Sequence, residues 1–347
     1  MHIKHTSPIG LPFSFWLLVV ALNPLLSNAQ TTGTATQIAS WGYYGCPCGG
    51  TFSTNVPPNL TNVISIAGRQ GHALVLRTDG TAVSWGWNAY DLTNVPAGLS
   101  NIVQVAAGFD FSLALKSDGK VIGWGQTDYS FNAANVPSGL SNVVKIAAGD
   151  GHALALRADG TLATWGSTNF GLPHIPTGLT NIARIACGAN ESMVIRTDGS
   201  LVVWGKLASL GIPQDVTNVV AVDGAMETLV ALKADGTIRA WGGATQFTQV
   251  PIEATNIVAI AANAQGADSW TGRFLALRAD GRVFSWGSVR TPVPVSLPFV
   301  SQIAAAQSDL ALVDPNRATT PPIILGSPRS QTVSVGSSVS LIGNAFG

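Results

Sequence analysis

The 347-residue chain has room for one large repeat domain and little more. Lys plus Arg and Asp plus Glu number 18 each, so the formal charge is zero, and the basic footprint of a nucleic-acid binder is excluded. Only 10% of residues are charged, against 38 Gly and 19 Pro, a mixture that suits short strands joined by tight turns and argues against a helical class.

Residues 1–29 read as a secretory signal peptide. His2, Lys4 and His5 give a weakly cationic start, residues 13–22 are apolar, and Ser27-Asn28-Ala29 places small residues where a signal peptidase reads. Cleavage is expected between Ala29 and Gln30. A run of ten residues is too short for a bilayer, which needs ~20, and no second candidate span follows.

From residue 30 to 313 the chain repeats. Trp-Gly pairs stand at Trp41, Trp85, Trp124, Trp165, Trp204, Trp241 and Trp286, with gaps of 44, 39, 41, 39, 37 and 45 residues. Six have an Asp-Gly six residues upstream, at Asp79, Asp118, Asp159, Asp198, Asp235 and Asp280. A period near 40 is an internal repeat.

The third unit, 142–166, shows its logic. Val143-Val144-Lys145-Ile146 opens a strand that ends in Ala147-Ala148-Gly149. After the break Asp150-Gly151, residues 152–157 form a second strand. Asp159-Gly160 then makes a tight antiparallel turn into a third strand ending at Trp165. The segment after Gly166 is irregular, with room for a short fourth strand, and ends in a Pro-x-Gly-Leu lead like those at Pro96 and Pro137. Both faces of these strands are apolar or small, as expected for sheets covered on both sides. That pattern predicts an all-β fold, a seven-bladed β-propeller.

Six units are complete: 62–86, 101–125, 142–166, 181–205, 218–242 and 256–287. A seventh, 299–313, lacks its Trp-Gly strand, while residues 37–42 align without gaps with 161–166. The N-terminal strand is therefore expected to complete the last blade and remove exposed edges. Residues 314–322 read as a Pro-rich linker. Residues 323–347 alternate in a way that resembles the opening strands of an immunoglobulin-like domain, which needs ~100 residues, so this segment is expected to be an incomplete domain.

The unit at 146–166 resembles the regulator of chromosome condensation repeat family, over about residues 37–313. The founder of that family is a nuclear exchange factor for a small GTPase, which makes a GTPase regulator one implied reading. The export signal and Pro-x-Gly-Leu leads such as 95–99 resemble more closely the secreted seven-bladed propellers of the β-lactamase inhibitory protein II type. That resemblance places a protein-binding face on the loops after the Ala-Ala-Gly strands. The matching positions include Gln70, Phe109, Asp110, Asp150, Asn190, Met226, Glu227, Asp268, Trp270 and Gln307. Phe109, Met226 and Trp270 are the apolar anchors, and residues 263–272 are read as an insertion that lengthens blade six.

Other residues have plainer readings. His72 and His152 share one repeat position, filled elsewhere by Phe111, Glu191 and Thr228, and are read as strand-start histidines with local hydrogen bonds rather than metal ligands. The Asp-Gly aspartates recur because the turn demands them. Cys187 stands where other units carry Ala and is read as buried, and Cys46 and Cys48 as a loop disulfide or free thiols. No catalytic triad, carboxylate pair or phosphate loop stands out. The expected function is an exported, non-enzymatic propeller, with neither cofactor nor metal, binding another protein outside the cell. A carbohydrate-binding or hydrolytic module would need acidic and aromatic residues pointing into the central channel, where the sequence offers mostly Ala and Gly.

Overall fold

The computed structural model describes residues 37–41, 56–58, 60–69, 71–126, 132–172, 174–225, 227–265, 271–287, 292–306 and 309–314, and the short pairs 323–324 and 345–346. Seven three-stranded antiparallel sheets dominate it. Blade 1 is β2 (Val63–Arg69), β3 (His72–Arg77) and β4 (Ala82–Gly86); blade 2 is β5 (Ile102–Ala107), β6 (Phe111–Lys116) and β7 (Val121–Gly125). Blade 3 is β8 (Val143–Ala148), β9 (His152–Arg157) and β10 (Leu162–Gly166); blade 4 is β11 (Ile182–Cys187), β12 (Glu191–Arg196) and β13 (Leu201–Gly205). Blade 5 is β14 (Val219–Ala225), β15 (Thr228–Lys233) and β16 (Ile238–Gly242); blade 6 is β17 (Ile257–Gln265), β18 (Thr271–Arg278) and β19 (Val283–Gly287). In blade 7, β20 (Phe299–Ala304) pairs with β21 (Asp309–Asp314). The first described strand, β1 (Gln37–Trp41), lies antiparallel to β21, with Gln37 opposite Val313 and Trp41 opposite Asp309.

The middle strand of each blade explains why the sequence is apolar without alternation. Leu154, Ala155 and Leu156 are consecutive and all buried, as are Leu74, Val75 and Leu76. Successive side chains point to opposite faces, and a neighbouring blade covers each face. The apolar core is accordingly divided among the seams. Phe111, Leu113 and Val121 of blade 2 meet Ile146, Ala153 and Trp165 of blade 3. Val75 and Trp85 of blade 1 meet Leu310 and Leu312 of blade 7. Trp41 and Val313 of blade 7 meet Leu275 and Val283 of blade 6.

The Trp-Gly pair joins neighbouring blades. The indole N–H of Trp165 donates to the Ala133 carbonyl at 2.8 Å, in the segment that follows blade 2. Trp124, Trp204, Trp241 and Trp286 donate in the same way to Leu92, Leu172, Gly211 and Phe247. The Gly after each Trp from Trp85 to Trp286 turns the chain at positive φ, 99° at Gly166, where a Cβ would lie 2.5 Å from the Gly151 carbonyl oxygen. The Asp-Gly turns are locked locally: Asp159 Oδ1 accepts from the Thr161 N–H at 2.9 Å and its hydroxyl at 2.7 Å. These bonds pull the exposed Asp159 carboxyl below its ordinary range.

The structure departs from the sequence reading in two places. Among the described residues no fourth strand follows the Trp-Gly pairs. Short helical turns such as Asn169–Gly171 and Thr245–Thr248 occupy that stretch instead. In blade 6, part of the expected insertion continues the ladder, with Asn263 opposite Arg273 and Gln265 opposite Thr271. The described part of the extra length is a taller ladder, because paired backbone satisfies more hydrogen bonds than an open loop. Residues 1–29, the linker 314–322 apart from Asp314, and most of 323–347 lie outside the described residues. No described helix is long and apolar enough to cross a membrane.

Candidate functional site

The upper face of the ring is where the inner strands end and the second strands begin. In blades 2, 3 and 4 the residue at this junction is Gly108, Gly149 or Gly188. The reason is steric: a Cβ would lie 2.0 Å from the Phe111 ring, 2.3 Å from His152 Cε1 and 2.5 Å from Glu191 Oε2, respectively. Blade 1 breaks this rule with Arg69 and blade 6 with Asn263.

Arg69 is 5% exposed and reaches across to blades 3 and 4. Its Nε donates to Asp150 Oδ1 of blade 3 at 2.6 Å, and its Nη1 donates to the Cys187 carbonyl of blade 4 at 3.4 Å. Burial works against this charge, but Asp150 and Asp223 together hold the guanidinium above its ordinary value. Asp150, Asp223 and Glu191 feel its charge, and Asp110 lies beside Asp150, so carboxyl groups from four blades are brought together. Burial, then the Asp150 charge, pushes Asp110 up to about 7. Burial likewise pushes Glu191 up to about 7, against the Asn190 N–H that donates to its Oε2 at 3.2 Å. Asp223 rises to about 6 by burial, opposed by Arg69 and by the N–H groups of Ala262 and Gly224. Asp110 Oδ1, Glu191 Oε1 and Arg69 Nη2 are buried without hydrogen-bond partners. The strand junctions of blades 1 to 5 therefore hold a charged cluster.

Beneath this cluster, buried polar pairs tie neighbouring blades. His72 Nε2 meets Ser112 Oγ of blade 2 at 2.9 Å, and His152 Nε2 meets Ser192 Oγ of blade 4 at 3.1 Å. The Arg273 guanidinium of blade 6 pairs with the Asp309 carboxylate of blade 7 at the corresponding place, both fully buried. Each histidine thus bonds to the next blade rather than within its own. Burial pushes both imidazoles down to about 4, with the Arg69 charge adding to the effect at His152. No group of His, Cys, Asp or Glu among the described residues is arranged to hold a metal ion. Cys187 is buried and unbridged, and burial pushes its thiol up to about 12.

These histidines carry a pH signature. Their folded pKa lies below the unfolded value, so their contribution to stability is complete above about pH 6.5 and is lost as the pH falls towards 4. The raised carboxyls act in the opposite sense, which calls for a difference measurement. In denaturant melts at pH 7.5, 5.5 and 4, the stability of the native chain relative to His72→Gln/His152→Gln is expected to fall by about 3 kcal/mol per histidine. A difference that stays flat across this range would show that the rings are not held neutral.

The sequence-selected rim residues have the following positions. Phe109 and Asp110 follow β5, Asp150 follows β8 and Asn190 follows β11, and all four are half-buried. Backbone bonds join their loops: the Phe109 N–H donates to the Asp150 carbonyl at 3.1 Å, and the Asp150 N–H to the Ala189 carbonyl at 3.3 Å. Glu227, on the blade 5 loop, pairs with Lys206 at 3.4 Å, and the Lys206 charge also acts on Glu191. Gln70, Met226, Asp268, Trp270 and Gln307 lie outside the described residues. Arg69, Asp223 and the role of Glu191 were not anticipated. Their trace in the sequence is the broken Ala-Ala-Gly pattern, which becomes Ala67-Gly68-Arg69 in blade 1 and Asp223-Gly224-Ala225 in blade 5.

The regulator of chromosome condensation (RCC1) repeat matches residues 102–130 and 143–172. No curated protein matches the chain by sequence. Among solved structures, it is similar to Prp20p from Saccharomyces cerevisiae, a protein studied for its binding to Gsp1p and histones. The TM-score is 0.60 at 18% identity, over 80% of this chain and 91% of that one. The same yeast protein bound to Kap60 gives a TM-score of 0.59 at 17% identity, over 90% of this chain and 97% of that one. The ectodomain of the receptor kinase CR4 from Physcomitrella patens gives 0.60 at 18% identity, over 74% and 72%. The chain thus has an RCC1-like propeller fold.

Proposed function

We propose that this chain is an exported, non-enzymatic propeller that binds another protein through its upper rim, from the loops of blades 2 to 4 to the Trp270 segment of blade 6. The observation that carries this reading is the continuity of the rim. Backbone hydrogen bonds lock the loops bearing Phe109, Asp110, Asp150 and Asn190 to one another, so three blades present one preformed surface. Rigid loops on a rigid scaffold lower the entropic cost of association. The solved neighbour Prp20p also binds proteins. Export rests on the leader 1–29, and the likeness to β-lactamase inhibitory protein II rests on the same leader with the Pro-x-Gly-Leu segments. An immunoglobulin-like continuation from 323 and ring closure by β1 belong to the same proposal.

Two other readings have some support. Binding in the central channel gains acidic residues at the strand junctions, but Arg69 is bonded across them and aromatic residues do not join them among the described residues. A GTPase-regulating role draws on the Prp20p likeness and is weighed down by the leader.

The test has two parts. The full chain expressed in a secreting host is expected to appear in the medium with Gln30 at its N-terminus. Immobilised and offered secreted and surface proteins, it is expected to retain a partner that Phe109→Ala/Trp270→Ala loses at least tenfold, as for interface anchors. Undiminished binding by the double variant would remove the rim from the proposal.

A further inference from the structure

We propose that the inner strands of blades 3 and 4 hold a site for one doubly charged oxyanion, a phosphate or sulfate group, between Lys145 and Arg184. The site lies towards the start of these strands, at the other end from the rim.

Its placement follows from register. The inner strand of each blade has one irregular step near its start, as between Val143 and Lys145 and between Ile182 and Arg184. Two glutamines show what a side chain does from the position after that step. Gln104 of blade 2 donates from Nε2 to the Ile146 carbonyl at 2.8 Å and accepts from the Ile146 N–H at 3.0 Å, both on the inner strand of blade 3. Gln302 of blade 7 spans to blade 1 in the same way, through Ile64 and Ile66. A neutral amide there answers the backbone of the next blade. In blades 3 and 4 the same position holds cations, on the neighbouring strands β8 and β11. In blades 5 and 6 it holds the small residues Ala221 and Ala259, so no long side chain follows Arg184 at this level.

Two adjacent cations are unfavourable as they stand. Lys145 and Arg184 are both half-buried. Burial, then the Arg184 charge, pushes the Lys145 ammonium below its ordinary value, and burial moves Arg184 the same way. Among the described residues Lys145 makes no ion pair, and no carboxylate offsets the push. Asp223, two residues beyond Ala221, is held by the N–H groups of Gly224 and Ala262 at 2.8 and 2.9 Å and by the Arg69 charge. A charge withdrawn from water is stable when it meets a counter-charge. An oxyanion supplies one. The ammonium donates to it as a point charge and the guanidinium through its planar fork, and the attraction grows as water is excluded. Two unit cations match a dianion better than chloride or nitrate.

Calorimetry on the full chain in low-salt buffer at pH 7.5, with inorganic sulfate and inorganic phosphate as probes, tests the site. Each is expected to bind about tenfold or more tightly than nitrate at equal ionic strength. Lys145→Gln places the blade 2 residue in this position. It should weaken sulfate about tenfold, the worth of one charge-assisted hydrogen bond. In sulfate-free buffer it should melt no earlier than the native chain, because it removes a like-charged neighbour. Arg184→Gln should weaken sulfate at least as much, and Arg184→Lys less. Sulfate also stabilises proteins through exclusion from their surface, so a melting shift counts only where the native chain gains more than Lys145→Gln. Glucose 6-phosphate separates two sources that fit equally. Binding as tight as that of phosphate assigns the site to a group carried on a larger molecule, and exclusion assigns it to the free ion. Sulfate held no better than nitrate, or held equally by the native, Lys145→Gln and Arg184→Gln chains, would overturn the inference. So would a Lys145→Gln chain that melts well below the native one, since the two charges would then already be compensated.

Discussion

Arg273→Met alone is expected to destabilise the chain by about 3–5 kcal/mol at pH 8, and adding Asp309→Val is expected to restore most of that loss. Arg273 on β18 and Asp309 on β21 are fully buried and paired across the seam between blades 6 and 7. Removing the guanidinium strands a carboxylate away from water. Burial already pushes Asp309 up to about 7, against the opposing pull of Arg273. The penalty of the single variant should therefore be smaller at pH 5, where the stranded carboxyl holds its proton. Converting both partners to apolar residues removes the desolvation cost along with the attraction, and the seam is otherwise lined by Leu275, Ala311 and Val313. Urea melts of the two single variants and the double variant give the coupling directly. Two losses that simply add would show that the pair does not act as a unit.

A chain beginning at residue 43 should lose about 5 kcal/mol or more, and should self-associate more than the full chain. Its missing strand, β1, supplies side chains to two seams. Trp41, 7% exposed, packs against Leu275 and Val283 of blade 6, whereas Ile38 packs towards Val75 and Leu312 at the seam with blade 1. Truncating a buried Trp alone costs ~3–5 kcal/mol, and the backbone pairing with β21 is lost as well. The uncovered edge of β21 is then a template for another chain. Light scattering and thermal melts of both forms would decide, and adding a peptide spanning 36–42 should return the truncated chain towards monomer. A truncated chain that stays monomeric and melts with the full chain would remove β1 from the closure of the ring.

Much of the fold was legible because the repeat states the same physical solution seven times. Trp, Gly and Asp-Gly recur wherever an indole must reach the preceding blade or the backbone must turn at positive φ. The blade boundaries followed from those positions to within a residue or two, since Leu162–Gly166 and its counterparts end at the marked Gly. The charged cluster at the strand junctions was less legible. Arg69, Asp110, Asp150, Glu191 and Asp223 lie about one repeat apart, and only the ring brings them together. The histidines were read correctly as hydrogen-bonded and incorrectly as local. Their partners stand one unit on, at Ser112 and Ser192, a regularity that appears only when each position is compared with its neighbour in the following unit. The ladder within the blade 6 insertion was not legible, because Gly266 and Asp268 give the segment the look of a loop.

The ties between blades are uneven, and that sets how the ring yields under load. Blades 1 and 2, 3 and 4, and 6 and 7 are each clasped at the same height by a buried polar pair. Between blades 4 and 5 the corresponding place holds Glu191 and Leu229, which meet over Gly224 with one carboxylate oxygen unanswered. The three clasped seams therefore resist a pull on the rim better than this one, where no buried polar pair among the described residues bridges the two blades.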